Sequence, residues 1–141
     1  TNTADYDYLE YKKIKDIELD KGPIGGIYSA LTHSNSELNL IVSCDIPLIS
    51  TELLLELIDQ HNGKASVSVF SDNERIHPLI GIYSKKIVPI LKVAIANSNL
   101  RMMEMIHNVD AQIIKVGDDK SNQFRNINSV AELNELNSNL P

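Results

Sequence analysis

The chain reads as an α/β layered domain, a mostly parallel sheet with helices on both faces, and three observations predict it. Short apolar runs of strand length alternate with segments of helical spacing along the whole sequence. One of these runs, Leu38 to Cys44, is apolar almost without interruption, the pattern of a strand covered on both faces and therefore central and parallel. No internal repeat, low-complexity segment or linker divides the 141 residues, so a single domain over 1–141 is expected.

Taken in order, Tyr11 to Ile17 is a short charged stretch in which Ile14 and Ile17 suggest a strand. Residues 22–33 open with Gly22-Pro23 and place Ile24, Ile27, Tyr28 and Leu31 at helical spacing. Pro23 falls in the first turn, where its missing N–H costs nothing. After the Leu38 to Cys44 strand, Pro47 and a Ser50-Thr51 cap lead into Leu53, Leu54, Leu57 and Ile58, one face of a second helix. Ala65 to Phe70 alternates with Val67 and Val69 as a strand does, and Leu79 to Tyr83 is another apolar run. Pro89 to Ala96 and Leu100 to His107 read as helices, with Met102, Met103 and Met105 as core filler, and Gln112 to Val116 as a strand. Ser129 and Glu132 have capping-box spacing ahead of a last short helix carrying Leu133 and Leu136.

Composition narrows the class of partner. Thirteen Lys and Arg against 19 Asp and Glu leave a net charge of −6, and no basic cluster interrupts the acidic field. Such a field repels nucleic acid and anionic lipid, so a phosphate-bearing ligand has to be held by local groups or by a cation. No apolar run approaches the ~18 residues a bilayer span needs. The single Cys44 forms no internal disulfide and reads as a buried strand residue, and a cytoplasmic protein is expected.

In α/β sheets ligands bind beyond the carboxyl ends of strands, which directs attention to Asp45-Ile46-Pro47. A carboxylate fixed there suits Mg2+, which takes one or two carboxylates together with phosphate oxygens; a turn-capping role for Asp45 is the plainer alternative. Gly22, Gly25 and Gly26 surround a helix start, where backbone N–H groups favour an anion, or where helix and strand pack closely. They match neither the dinucleotide fingerprint nor a P-loop. The four histidines have no metal-ligand spacing with Cys44, and His77-Pro78 reads as a satisfied structural histidine entering a strand. Asn126 and Asn128, two apart in extended chain, point the same way and suit a polar heterocycle or a phosphate, or serve as turn formers.

Four stretches in one order then carry a resemblance. Gly22-Pro23-Ile24-Gly25-Gly26-Ile27, Cys44-Asp45-Ile46-Pro47, His77-Pro78-Leu79-Ile80-Gly81-Ile82-Tyr83 and Phe124-Arg125-Asn126-Ile127-Asn128 together resemble the molybdenum cofactor guanylyltransferase family, from about Asn2 to Leu136. The resemblance implies a Rossmann-like nucleotidyltransferase fold and the transfer of GMP from GTP to molybdopterin, with release of pyrophosphate. It implies that Asp45 binds Mg2+ and is the catalytic carboxylate. Asn2, Asp16, Gly22 and Asp45 contact the nucleotide, with Asp20 as a substitute for Asp16. Asn126 and Asn128 face molybdopterin, which a partner protein delivers.

The chain departs from the family pattern at one point. Members open with a strand and a glycine-rich loop of the kind Leu-x-Gly-Gly-x-Ser-x-Arg-Met-Gly-x-x-Lys, and no such stretch occurs among these residues. The expectation is therefore a carboxyl-terminal part of the enzyme, with the N-terminal portion missing and no turnover by itself. The alternatives are a sister enzyme using CTP or another phosphorylated acceptor, and a non-catalytic domain that keeps the fold.

Overall fold

The computed structural model describes residues 10–73, 75–129, 131–132 and 134. Its elements are α1 (Gly22–His33), β1 (Leu38–Val42), α2 (Thr51–Gln60), β2 (Val67–Asp72), β3 (Arg75–Ser84), α3 (Val88–Ala96), α4 (Met102–Asn108) and β4 (Ala111–Lys115). Two 3-10 stretches, Lys85–Ile87 and Asp118–Phe124, join them. Strands and helices alternate over most of the chain, as the apolar pattern predicts.

The four strands form one sheet in the order β1-β3-β2-β4. This sheet is mixed rather than mostly parallel: β1 and β2 both run antiparallel to β3, and β4 alone runs parallel, alongside β2. The physical reason lies at Asn73, which takes φ +40° between β2 and β3. A connection that short closes only an antiparallel pair, and Asn tolerates the left-handed region it requires. The Leu38 to Cys44 strand needs the same correction. It ends at Val42, pairs antiparallel with β3, and has no second neighbour among the described strands. Leu38, Leu40 and Val42 stay exposed on it. An apolar run reports burial preference and says nothing of direction or neighbours.

Both faces of the sheet are covered. α1, α3 and α4 pack on one face through Ile24, Leu31, Leu91, Ile95 and Ile106 against Val67, Val69 and Tyr83. On the other, α2 and the Asp118–Phe124 stretch pack Leu53, Leu57 and Phe124 against Phe70, Ile80, Ile82 and Ile114. β2 buries both Val69 and Phe70, in opposite layers, because successive strand residues alternate and both faces are covered; the register with β3 shifts between them. Val69 pairs with Gly81 but Phe70 pairs with His77, so Pro78–Ile80 form a bulge of β3. Pro78 has no N–H to give the ladder, which makes this the place where pairing with β2 breaks. The buried Tyr83 hydroxyl donates to the Pro78 carbonyl and closes the bulge.

Several local signals hold in detail. Ser50 caps α2 by accepting from Leu53 N at 3.1 Å, and Pro23 sits in the first turn of α1. Glu132 N donates to Ser129 Oγ at 3.2 Å while Glu132 Oε2 accepts from Asn128 N at 2.8 Å, so the capping pair forms. Leu133 and Leu136 lie outside the described residues. Tyr11 to Ile17 is not a strand: it runs irregularly along α1, where Ile17 N donates to Ser29 Oγ at 2.8 Å, and its alternation is too poor to build a ladder. Cys44 is exposed rather than buried, because the strand stops two residues earlier and Cys44 sits in the turn that follows. Met105 is buried, whereas Met103 is exposed. Among the described residues no helix is long and apolar enough to cross a membrane.

Candidate active site

Chain leaving β1 makes one more contact with β3, Ser43 N to Leu79 O at 2.9 Å, then turns at Cys44 and Asp45. Ile46 buries itself in the α2 layer directly afterwards. The turn is thus held on both sides, and the half-buried Asp45 side chain is rigidly placed beyond the strand end. Ser43 Oγ donates to Asp45 Oδ1 at 2.5 Å, and Asn126 Nδ2, 81 residues away, donates to Oδ2 at 2.9 Å. The backbone joins in, since Ile127 N donates to the Asp45 carbonyl at 2.7 Å. The turn-capping alternative for Asp45 does not hold among the described residues, since its carboxylate accepts from the Ser43 and Asn126 side chains rather than from turn N–H groups, and its contact with Asn126 is one the sequence did not disclose.

A cleft of about 210 Å3 opens here, lined by Ser43, Asp45, Arg75, His77, Pro78 and Asn126 among others. Its far wall is the start of β3. There His77 Nε2 bonds to Asp72 across the hairpin, and the His77 ring stacks on Phe124 at 4.2 Å and 15°. Phe124 meets Phe70 edge-on at 5.7 Å, which ties the residue ahead of Arg125–Asn128 into the core. Burial opposes ionisation of Asp72, yet hydrogen bonds from His77 and Ser121, with the His77 charge, outweigh it and hold the carboxyl below its ordinary value. His77 is therefore a satisfied histidine, and it also braces the loop that carries Asn126.

Asp45 suits a divalent cation. Each of its oxygens takes one neutral donor, leaving lone pairs on both, and no Lys or Arg pairs with it among the described residues. No cluster of three or more His, Cys, Asp or Glu gathers there or elsewhere among the described residues. An ion at this point would complete its shell with ligand oxygens and water, which is how Mg2+ is usually held.

The other candidates lie apart from this cleft. Gly22 takes φ +56° at the start of α1, and Asp20 takes φ +59° just before it. Neither they nor the half-buried Asp16 line the cleft. Asn128 spends its N–H on Glu132 and is not in the lining, and Asn2 lies outside the described residues. Arg75 is the polar lining residue that sequence reading did not single out, and Asp72 and Phe124, which brace the His77 wall without lining the cleft, were not assigned that role either. The available signal was Asp72-Asn73 between two apolar runs, which marks a tight hairpin and would have set Arg75 and His77 at one strand end.

A cleft beyond a strand end, beside a carboxylate that pairs with no Lys or Arg among the described residues, is where α/β sheets place their ligands, and the fold is that of an α/β protein. Residues 1–111 match the family described as "MobA-like NTP transferase domain". A probable molybdenum cofactor guanylyltransferase of Flavobacterium johnsoniae is 56% identical over 99% of the chain and 74% of its own length. One from Bacillus subtilis is 31% identical over 77% of the chain and 55% of its own length. A solved protein of Aquifex aeolicus superposes with TM-score 0.79 at 27% identity, over 88% of the chain and 65% of its own. Molybdopterin-guanine dinucleotide biosynthesis protein A of Archaeoglobus fulgidus, at 21% identity and TM-score 0.72 over 84% and 64%, shares the fold. The chain belongs to the MobA-like nucleotidyltransferase family.

Proposed function

We propose that the protein transfers GMP from GTP to molybdopterin, with Asp45 holding the Mg2+ the reaction uses. The observation that carries this is the Asp45 carboxylate, fixed beyond β1 by Ser43 and Asn126 and unpaired with any described cation. The 56% identity with a relative of that name supports the choice of substrates.

In this reading an oxygen of the terminal molybdopterin phosphate attacks the α-phosphorus of GTP. A new P–O bond forms, the bond to the β-phosphate oxygen breaks, and pyrophosphate leaves with the electron pair. Mg2+, when bound, neutralises phosphate charge. The chain's own residues position the reactants: Asp16, Gly22 and Asn2 on the nucleotide side, Asn126 and Asn128 on the molybdopterin side. No covalent enzyme intermediate is needed. A cytoplasmic setting and delivery of molybdopterin by a partner protein belong to the same proposal.

The test is Asp45→Asn in the full-length protein, assayed with GTP, Mg2+ and molybdopterin. Loss of at least about 10^2 in kcat/KM is expected, the scale for removing a key electrostatic group, with an unchanged melting curve. Activity that survives the change removes Asp45 from the mechanism. The 141 residues alone, with no glycine-rich phosphate loop among them, are expected to show no turnover. Comparing GTP with CTP in the same assay settles the base.

A further inference from the structure

Among the described residues Arg75 is the one formal cation in the cleft lining. It opens β3 opposite Asp45, is exposed, and has neither an ion-pair nor a side-chain hydrogen-bond partner among the described residues. In a chain of net charge −6 a guanidinium at a cleft, with no ion-pair partner among the described residues, departs from the prevailing field. The neighbouring His77 cannot take its place, because its Nε2 is committed to Asp72 and its ring to Phe124. Asp45 and Arg75 share the cleft without bonding to each other, so both are left for a ligand.

We propose that Arg75 receives the phosphate monoester of the acceptor substrate, in the cleft between the Ser43–Asp45 turn and the start of β3. This rests on the nucleotidyl-transfer reading for the name of the acceptor, but the phosphate subsite stands on the cleft alone. Size admits the ligand: about 210 Å3, below the roughly 300–1,000 Å3 of a site that encloses a whole drug-sized molecule, is room for a phosphate with its adjoining carbons while the rest of the substrate lies outside the cleft. Charge then selects the class. One guanidinium matches a dianionic monoester through its two-pronged donor face, whereas a triphosphate in so acidic a chain demands several cations. Placing Arg75 against the attacking phosphate also lessens repulsion as its oxygen approaches the α-phosphorus, the bond changes being those already given.

The position of Arg75 is set by the fold. The Asn73 turn pairs Arg75 with Asp72, and the Asp72 to His77 contact and the Phe124 stack hold that end of β3 beside Asn126. An Arg at the loose end of a loop would lack this orientation.

The experiment is a titration of the 15N-labelled full-length protein with glycerol 3-phosphate, followed through its amide spectrum. Saturable shifts at Asp45, His77 and Asn126 are expected. Arg75→Ala should weaken binding at least tenfold, and Arg75→Lys should retain part of it, since a point charge replaces a fork. The same spectra report that each variant is folded. Absent or scattered shifts in the parent chain, or equal affinity in Arg75→Ala, overturn the proposal. If Arg75-dependent binding is found while the full-length protein transfers no GMP to molybdopterin, the phosphate subsite stands and the guanylyltransferase reading fails.

Discussion

Two parts of this molecule carry the marks of a ligand site, and they are built in opposite ways. The glycine turn at the start of α1 is a local structure: Gly25 N bonds to Lys21 O at 3.3 Å, and Ser29 Oγ donates to Gly25 O at 2.8 Å. A Cβ on Gly25 would come within 2.7 Å of the Lys21 Cβ, so that glycine answers a packing demand. The Asp45 cleft is assembled instead from segments far apart in sequence, with Asn126 and Ile127 bonded to Asp45, and Phe124 stacked on His77. Residues that satisfy one another locally have less left to offer a ligand than residues brought together by the whole fold. The difference is one of assembly, and substitutions in each part test it.

The largest effect is expected at Phe124, which is 4% exposed and joins the core to the loop bearing Asn126. Phe124→Ala should cost about 3–5 kcal/mol, the range for a buried aromatic, by the midpoint of denaturant unfolding. It should also speed amide exchange at Ile127, whose N–H is bonded to Asp45. Full protection there would mean that the cleft does not depend on the Phe124 anchor.

Next comes Gly81, in the middle of β3. A Cβ there would lie 2.7 Å from Val69 Cγ1 and 2.8 Å from the Ser68 carbonyl, so backbone has to move. Gly81→Ala should destabilise by about 1–3 kcal/mol, as overpacking does. Gly26 is the contrast, because a Cβ there meets nothing within 4 Å. Gly26→Ala should stabilise α1 by up to about 1 kcal/mol and leave GTP affinity unchanged. A fall in GTP affinity would extend the nucleotide contact proposed at Gly22 to Gly26, and the contrast between the two parts would weaken.

What the sequence discloses follows the same division. Ser50, Pro23 and the Ser129–Glu132 pair act within one helical turn, and each sits where its chemistry predicts. Asp45 was legible for a related reason, since a strand end followed by proline is a local pattern. The direction of β1 was not, because Leu38 to Val42 has the same letters whether its neighbour runs with it or against it. Arg75 was not legible either. Its role depends on the Asn73 turn and on Asn126, and nothing in the Arg75 segment alone refers to the loop it faces.

The smallest expected effect isolates the brace behind the cleft. Asp72 has its carboxyl held below the ordinary value, with burial opposing and bonds from His77 and Ser121 prevailing. A depressed folded-state pKa adds stability that is present above the unfolded value of about 3.9 and is lost as pH falls through the folded value. The parent chain should thus exceed Asp72→Asn in stability at neutral pH, and the two should converge below about pH 4. Melting curves of both proteins from pH 7 to pH 3 measure this. A gap that stays constant across that span would mean that Asp72 supports the hairpin through shape rather than through its charge. The His77 ring would then owe its place beside the cleft to the Phe124 stack, and the Asp72 carboxylate would have no part in orienting Arg75.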